Sequence, residues 1–395
     1  MSLPPPPDSY GGQSPYGGQP QGGRQPQWGG QAQPGAGQGQ FSGPPPWGPP
    51  PQQPQWGGPP PGPPPSQGGK GKWVLGGVIL LLVVALAVTV TILVTGDGSN
   101  QNSPTPPGDG KASEFASAND TGPVNIITED PTCDAWGRIS REYSESTEGA
   151  GWATRDASVP ASAWTPDQSA MYESVGASME NAADKVENLV KLTTHREMRE
   201  LYQQFQAYSR AFTNGIPSYE PEDDDLAVVV DNLASGLAMI CSATNYGSAQ
   251  AVSPLVEGVP DPSNAPSLGD SSEGERFLNT PSSSCNDWNS TAKDFSSAVR
   301  PWRDIDANIS AADWTPDQRR VIDETIPVME ANAVALVRLG GTSGNAVFED
   351  FAYLAAQYRR GYAAALPDYT SADNYLSAAS TYVVNAILWA CKAAE

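Results

Sequence analysis

The pentapeptide WTPDQ occupies residues 164 to 168 and returns, letter for letter, at 314 to 318. Sliding the sequence against itself by 150 positions extends the match without a gap. Trp152 falls on Trp302, Asp156 on Asp306, Met179 on Met329, Tyr208 and Arg210 on Tyr358 and Arg360, Pro217 and Tyr219 on Pro367 and Tyr369, and Cys241 on Cys391. With two extra residues allowed in the first copy, Cys133 and Trp136 pair with Cys285 and Trp288. The expectation is a tandem duplication, in which one supersecondary unit is built twice.

Each copy begins and ends with a cysteine, and these four are the only cysteines in the 395 residues. Four cysteines allow three connectivities. A duplicated unit should close on itself, which predicts Cys133 with Cys241 and Cys285 with Cys391. In the chain-entropy account, a loop of about 100 residues closed in this way gains roughly 4.7 kcal/mol.

The periodicity inside each copy is helical. Met171, Val175, Met179, Ala183, Val186 and Val190 recur at three- and four-residue steps. Met198, Leu201, Tyr202, Phe205, Tyr208 and Phe212 do the same, as do Leu226, Val229, Val230, Leu233, Leu237 and Ile240. A shorter helix is expected after Cys133, and no alternating run suggests a sheet. Each copy therefore reads as a four-helix up-and-down bundle, and the fold class as all-α.

WTPDQ suits a helix start. Thr165 and Thr315 are N-cap types, Pro166 and Pro316 fit the first helical position, and Gln168 and Gln318 can close a capping box. Trp164 and Trp314, just before the cap, can staple the entering chain. A functional alternative is a pair of aromatic platforms for a sugar ring or an apolar tail, formed by Trp152, Trp164, Trp302 and Trp314.

Ahead of the duplication lie two other kinds of sequence. Residues 1–72 are mostly Pro, Gly and Gln, a composition expected to stay disordered with polyproline II stretches. Its repeated aromatic words, such as SPYGGQ and PPPWGPPP, suit weak multivalent contacts with partner proteins or a plain spacer. Residues 73–95 are 23 residues without a charge, enough to cross a bilayer core as a helix. Lys70 and Lys72 precede this run and Asp97 follows it, so the positive-inside bias places the tail in the cytoplasm and the rest outside. Cysteines confined to the outer part agree with that topology. Residues 96–131 are expected as a stalk, 132–241 as the first repeat, 242–284 as a Ser/Pro/Gly/Asn-rich linker laid on the repeats through Leu255, Val256, Phe277 and Leu278, and 285–395 as the second repeat.

Charge narrows the partners. Residues 96–395 carry 19 basic against 43 acidic side chains, which argues against nucleic acid or anionic headgroups as ligands of the outer part. His195 is the only histidine, so no Ser-His-Asp set, HExxH motif or two-histidine metal site can be assembled. Its place in a first helical turn reads as a surface residue. The acidic run Glu220, Glu222, Asp223, Asp224 and Asp225 lacks EF-hand spacing and reads as a solvated helix N-terminus rather than a calcium site. No catalytic residue, metal or cofactor is expected. Arg210 and Arg360, shared between the copies, are expected to pair with the shared Asp156 and Asp306, directly or through Tyr208 and Tyr358; a ligand-anchoring role is the alternative. Asn119, Asn289 and Asn308 stand in glycosylation sequons.

The Pro/Gly/Gln tail with Tyr and Trp, the single span, WTPDQ and FEDFAYLAAQYRRGYAAALPDYTSADNYL (348–376) together resemble the proline-rich membrane proteins of mycobacteria and related actinobacteria. The resemblance covers the whole chain and implies the plasma membrane, with the repeats in the envelope space and no assigned activity. The expected function is a non-enzymatic envelope protein whose repeats bind an envelope or membrane protein and whose tail recruits partners inside. The alternative is a carrier or sensor of a lipid or other apolar ligand.

Overall fold

The computed structural model describes residues 113–263, 268–269 and 274–395. The expected tail, span and first part of the stalk lie outside those residues. The described chain is all-helical, with no strand among the described residues. The first group of helices comprises α1 (Cys133–Gly149), α2 (Pro166–Leu192), α3 (Arg196–Gly215) and α4 (Asp224–Asn245), followed by the short α5 (Ser248–Val252). The second comprises α6 (Ser284–Ala298), the single turn α7 (Arg300–Arg303), α8 (Pro316–Gly341), α9 (Ala346–Ala365) and α10 (Asn374–Lys392).

Both long second helices start as WTPDQ requires. Thr165 Oγ1 accepts from Gln168 N at 3.3 Å while Gln168 Oε1 accepts from Thr165 N at 2.9 Å, and the same two distances recur at Thr315 and Gln318. Two of the first-turn N–H groups that a helix leaves unpaired are thereby satisfied at each start. Pro166 and Pro316 occupy the first helical position, where a missing N–H costs nothing.

Within each group the helices close a ring. α1 packs on α2, α2 on α3, α3 on α4 and α4 back on α1; α6, α8, α9 and α10 repeat that order. Trp136 and Trp288 fill equivalent centres with no exposure, Trp136 edge-on to Tyr202 and Phe205, and Trp288 edge-on to Phe348. Each ring carries its own disulfide, Cys133–Cys241 with a Cα–Cα distance of 5.3 Å and Cys285–Cys391 with 5.6 Å. Close helix approach has a local cause at Gly340 in α8, where a Cβ would stand 2.7 Å from that of Ala352 in α9.

The two rings form one body. α4 lies along α10 in the most extensive helix-to-helix contact of the described residues, and α3 meets α9. Pro221–Asn245 contains an 18-residue window apolar enough to cross a membrane, yet 89% of that window is buried inside the protein and Cys241 ties the helix to α1. Its apolarity is that of a helix enclosed on all sides.

Residues 113–131 and the described residues of 242–284 pack against the helices. Phe115, Val124, Ile126 and Ile127 are buried, and the segment crosses to the second ring, where Gln357 Nε2 on α9 donates to Val124 O at 3.0 Å. α4 continues past Cys241 to Asn245, and α5 buries Ala249 and Val252. From there the chain crosses the first ring. On α3, Gln203 Nε2 donates to Leu268 O at 2.8 Å, Gln204 accepts from Phe277 N at 2.9 Å, and Tyr208 Oη donates to Leu278 O at 3.1 Å. Leu278 is buried, Phe277 and Val256 are half-buried, and Leu255 is exposed, so three of the four expected linker contacts face the protein. Each segment also touches the ring it leads into: Ala116 N donates to Lys191 O at 2.9 Å, and Asn345 Nδ2 to Phe277 O at 2.7 Å.

Candidate functional site

The polar residues that stand out are not those singled out from the sequence. Trp152 is buried edge-on to Tyr172 and Phe212, and Trp164 stacks on Tyr172 at 4.0 Å while its indole N–H donates to Val159 O at 2.8 Å. Trp314 is buried and stacks on Tyr369, its N–H donating to Ile309 O at 3.0 Å, and Trp302 packs edge-on to Tyr362. These rings face protein, and the two that precede the caps have their N–H groups bonded locally.

The expected ties between Arg210 or Arg360 and Asp156 or Asp306 do not form. Asp156 Oδ1 accepts from Ser158 N at 3.1 Å and Asp306 Oδ1 from Asn308 N at 2.9 Å, so both acids shape turns. Arg210 pairs with Asp184 at 3.2 Å on the surface, and Arg360 Nη1 donates to Glu257 O at 3.3 Å. The cause is helical geometry. Tyr208 and Tyr358 point inward, and residues two positions further on project from nearly the opposite side of the helix. The neighbour, Arg359, is the buried one. It donates from Nε to Ser380 Oγ at 2.9 Å and lies 4.0 Å from the centre of the Phe295 ring, and burial pushes its guanidinium down to about 9.

The acidic run at the start of α4 is largely paired. Asp223 Oδ2 accepts from Glu220 N at 2.9 Å, Asp224 accepts from the Arg155 guanidinium at 2.9 Å, and Asp225 meets Lys392 at 3.1 Å. Those contacts fix the α3–α4 corner and one edge of the α4–α10 contact.

The densest polar cluster is built where α3 and α9 start. Arg196, Glu197, Arg199 and Glu200 on α3 and Glu349 and Asp350 on α9 are all buried, none more than 4% exposed. Arg196 donates through Nε and Nη2 to the two carboxylate oxygens of Asp350 at 2.8 and 3.0 Å. Nη2 also donates to Glu197 Oε1 at 2.9 Å, and Nη1 to the carbonyls of Asp120 and Gly122 at 2.9 and 3.1 Å. All five N–H groups of the side chain are engaged, across three separate segments. Arg199 Nη1 donates to Ser117 Oγ at 3.0 Å, and its other terminal nitrogen lies 3.6 Å from Glu200. Glu349 accepts from Tyr353 Oη and Ser263 Oγ, each at 2.9 Å.

Electrostatics divides these acids. Burial, followed by the charges of Asp350 and Glu197, pushes the Glu200 carboxyl well above the usual range, and neither of its oxygens receives a donor among the described residues. Burial likewise pushes Glu197 up to about 8, against the pull of Arg196. Asp350 is raised by burial but held back by Arg196 and by its neighbour Glu200. Burial works against the charge on Arg196, yet Asp350, Glu197 and Glu200 together outweigh it and hold the guanidinium above its ordinary value.

One grouping has the composition of a cation site: Asp120, His195 and Glu197 bring donor atoms within 4.8 Å of one another. Its donors are already committed. His195 Nε2 lies 2.8 Å from Glu129 O, and since a carbonyl only accepts, that nitrogen carries the proton. Asp120 Oδ2 accepts from Arg196 N at 2.7 Å and so caps α3, while Glu197 is bonded to the Arg196 guanidinium. Arg196 is the cation of this place. His195 itself stands at the N-cap position of α3, half-buried and not at an open surface.

An all-helical protein closed by two disulfides, with its conspicuous charges buried between helices, is the class that fold and cluster define. The chain belongs to the family described as mycobacterial ESX-1 associated protein, whose model matches residues 115–395, from the start of the packed leading segment onward. It is 43% identical over 331 residues to an uncharacterised protein of Mycolicibacterium smegmatis (strain MKD8), an alignment covering 82% of this chain and 87% of that one. The mycobacterial grouping expected from the sequence is therefore the one found. No solved structure matches the chain.

Proposed function

We propose that this protein is a non-catalytic, membrane-anchored component of the mycobacterial envelope that serves ESX-1 secretion by binding protein partners. The observation that carries the reading is the two-ring body, with a disulfide in each ring, a filled core and its buried charges engaged with one another. Two disulfides suit a folded part outside the cytoplasm, and the family's ESX-1 association points to protein partners.

In this reading residues 73–95 are the single span, residues 1–72 are the cytoplasmic recruitment tail, and residues 113–395 are a rigid outer scaffold produced by tandem duplication. Several contacts recur at the 150-residue offset and support the duplication. Tyr219 Oη donates to Ala157 O at 2.8 Å and Tyr369 Oη to Ala307 O at 2.6 Å, while Ala161 N and Ala311 N bond back to the carbonyls of the same two tyrosines. A carrier of apolar ligands would call for an enclosed apolar chamber; the recess of about 290 Å³ between Phe277, Pro281, Ser343 and Asn345 is open to solvent.

Crosslinking in native membranes, followed by identification of co-purified proteins and lipids, tests the proposal. Recovery of ESX-1 components with the full chain is the expected result. Recovery of one stoichiometric lipid and no protein would overturn it in favour of ligand carriage.

A further inference from the structure

Between the two rings, two guanidinium groups share a water-excluded volume with four carboxyl groups: Arg196 and Arg199 against Glu197, Glu200, Glu349 and Asp350. A dry site does not sustain an uncompensated charge of −2, so the cluster holds about two protons when closed. The geometry indicates where they reside. Asp350 takes the paired hydrogen bonds of Arg196, and Glu349 accepts from Tyr353 and Ser263. Glu200 receives no donor at either oxygen among the described residues and, when protonated, can donate to the neighbouring Asp350, while Glu197 shares a single nitrogen of Arg196.

The location matters as much as the charge. Glu200 and Asp350 are equivalent positions of the two copies at the 150-residue offset, one on α3 and one on α9, and they meet where those helices meet. Neither disulfide crosses from one ring to the other, since Cys133–Cys241 and Cys285–Cys391 each close within a ring. The contact between the rings is therefore held by noncovalent interactions alone.

We infer that Glu197, Glu200 and Asp350 form a proton-operated latch between the two rings, closed while Glu197 and Glu200 carry protons and loosened as they ionise. The groups facing it are Arg196 and Arg199 from α3 with His195 at its N-cap, Glu349 and Asp350 from α9 with Tyr353 behind them, and Asp120 from the leading segment. Burial raises Glu197 to about 8 and shifts Glu200 in the same direction. For acids raised in the closed state, closure is at full strength below the open-state value near 4.5 and is lost as pH rises through the closed-state value. Each proton released on opening multiplies the opening equilibrium by about ten per pH unit across that window.

The test is hydrogen exchange on the full chain in detergent micelles between about pH 6 and 9, corrected for intrinsic amide chemistry and read at the first turns of α3 and α9. Protection there is expected to fall at least about tenfold over this range. Helices α1 and α6, remote from the cluster, should change less than about twofold. In the double variant Glu197→Gln/Glu200→Gln, which mimics the protonated state, the response should vanish. If that variant does not fold, infrared spectroscopy of the wild-type chain decides: a protonated-carboxyl stretch present at pH 6 and lost by about pH 9 supports the latch. Unchanging protection in the wild type, an undiminished response in the double variant, or the absence of that stretch would each overturn it.

Discussion

Replacing Asp350 with Asn keeps the shape of the side chain but removes the charge that Arg196 grips with two hydrogen bonds at 2.8 and 3.0 Å. Both partners are essentially unexposed, so solvent does not screen the loss. Hydrogen bonds to a charged group contribute about 1.5–3 kcal/mol each, and breaking one side of a buried pair costs about 3–5 kcal/mol. The amide introduced by Asp350→Asn would still offer one neutral acceptor, and Glu197 can take more of the guanidinium, which places the expected cost near 3 kcal/mol. For a body of this size that lowers Tm by roughly 5 °C. Urea and thermal denaturation of the full chain in micelles, disulfides oxidised, measures it. The diagnostic partner is Arg196→Met combined with Asp350→Leu, which removes both charges and should recover most of the loss, a coupling of about 2 kcal/mol in the double-mutant cycle. A cost below about 0.5 kcal/mol for Asp350→Asn, or strictly additive effects, would refute the view that this pair holds the rings together.

Arg359, buried with a hydroxyl and an aromatic face but no acidic partner among the described residues, should be a net liability. Arg359→Met is expected to raise stability by about 1–3 kcal/mol in the same denaturation assay. Thr165→Ala and Thr315→Ala should each cost about 1 kcal/mol, and the double variant their sum, because the two capping boxes are independent. Gly340→Ala should cost about 1–3 kcal/mol by forcing α8 and α9 apart, seen as a Tm loss that Thr342→Ala, on the exposed flank of the same helix end, does not reproduce.

What could be read from the sequence was what is written locally or written twice. The periods of α2, α3 and α4, the Thr-Pro-Asp-Gln starts and the pairing of the cysteines depend on residues a few positions apart or on the sequence match at the 150-residue offset. The crossing of the two leading segments depends on how the rings pack, and composition alone made residues 113–131 look like a stalk. The cluster was missed for a similar reason. HREMRE places four charges in six residues, and the apolar positions Met198 and Leu201 accounted for the helix without them. The available signal was the pairing of Glu200 with Asp350 at the 150-residue offset beside residues that had to be buried. The Arg210 expectation failed because sharing between copies was taken as contact, whereas Arg210 stands on the outward side of the helix that buries Tyr208.

The contact of the first leading segment with α9 also sets an order of events. Val124 is made early, but its partner Gln357 lies 233 residues further along. At ordinary synthesis rates of about 5–20 residues per second, the first segment waits roughly 10 to 50 seconds for its seat. During that interval Val124, Ile126 and Ile127 lack the α9 surface that they meet in the finished body. The first ring can close its disulfide and bury Trp136 on its own, but the chain reaches its finished state only when the last helices return to the beginning. Delivery of the nascent protein therefore has to shelter its front end until its back end arrives.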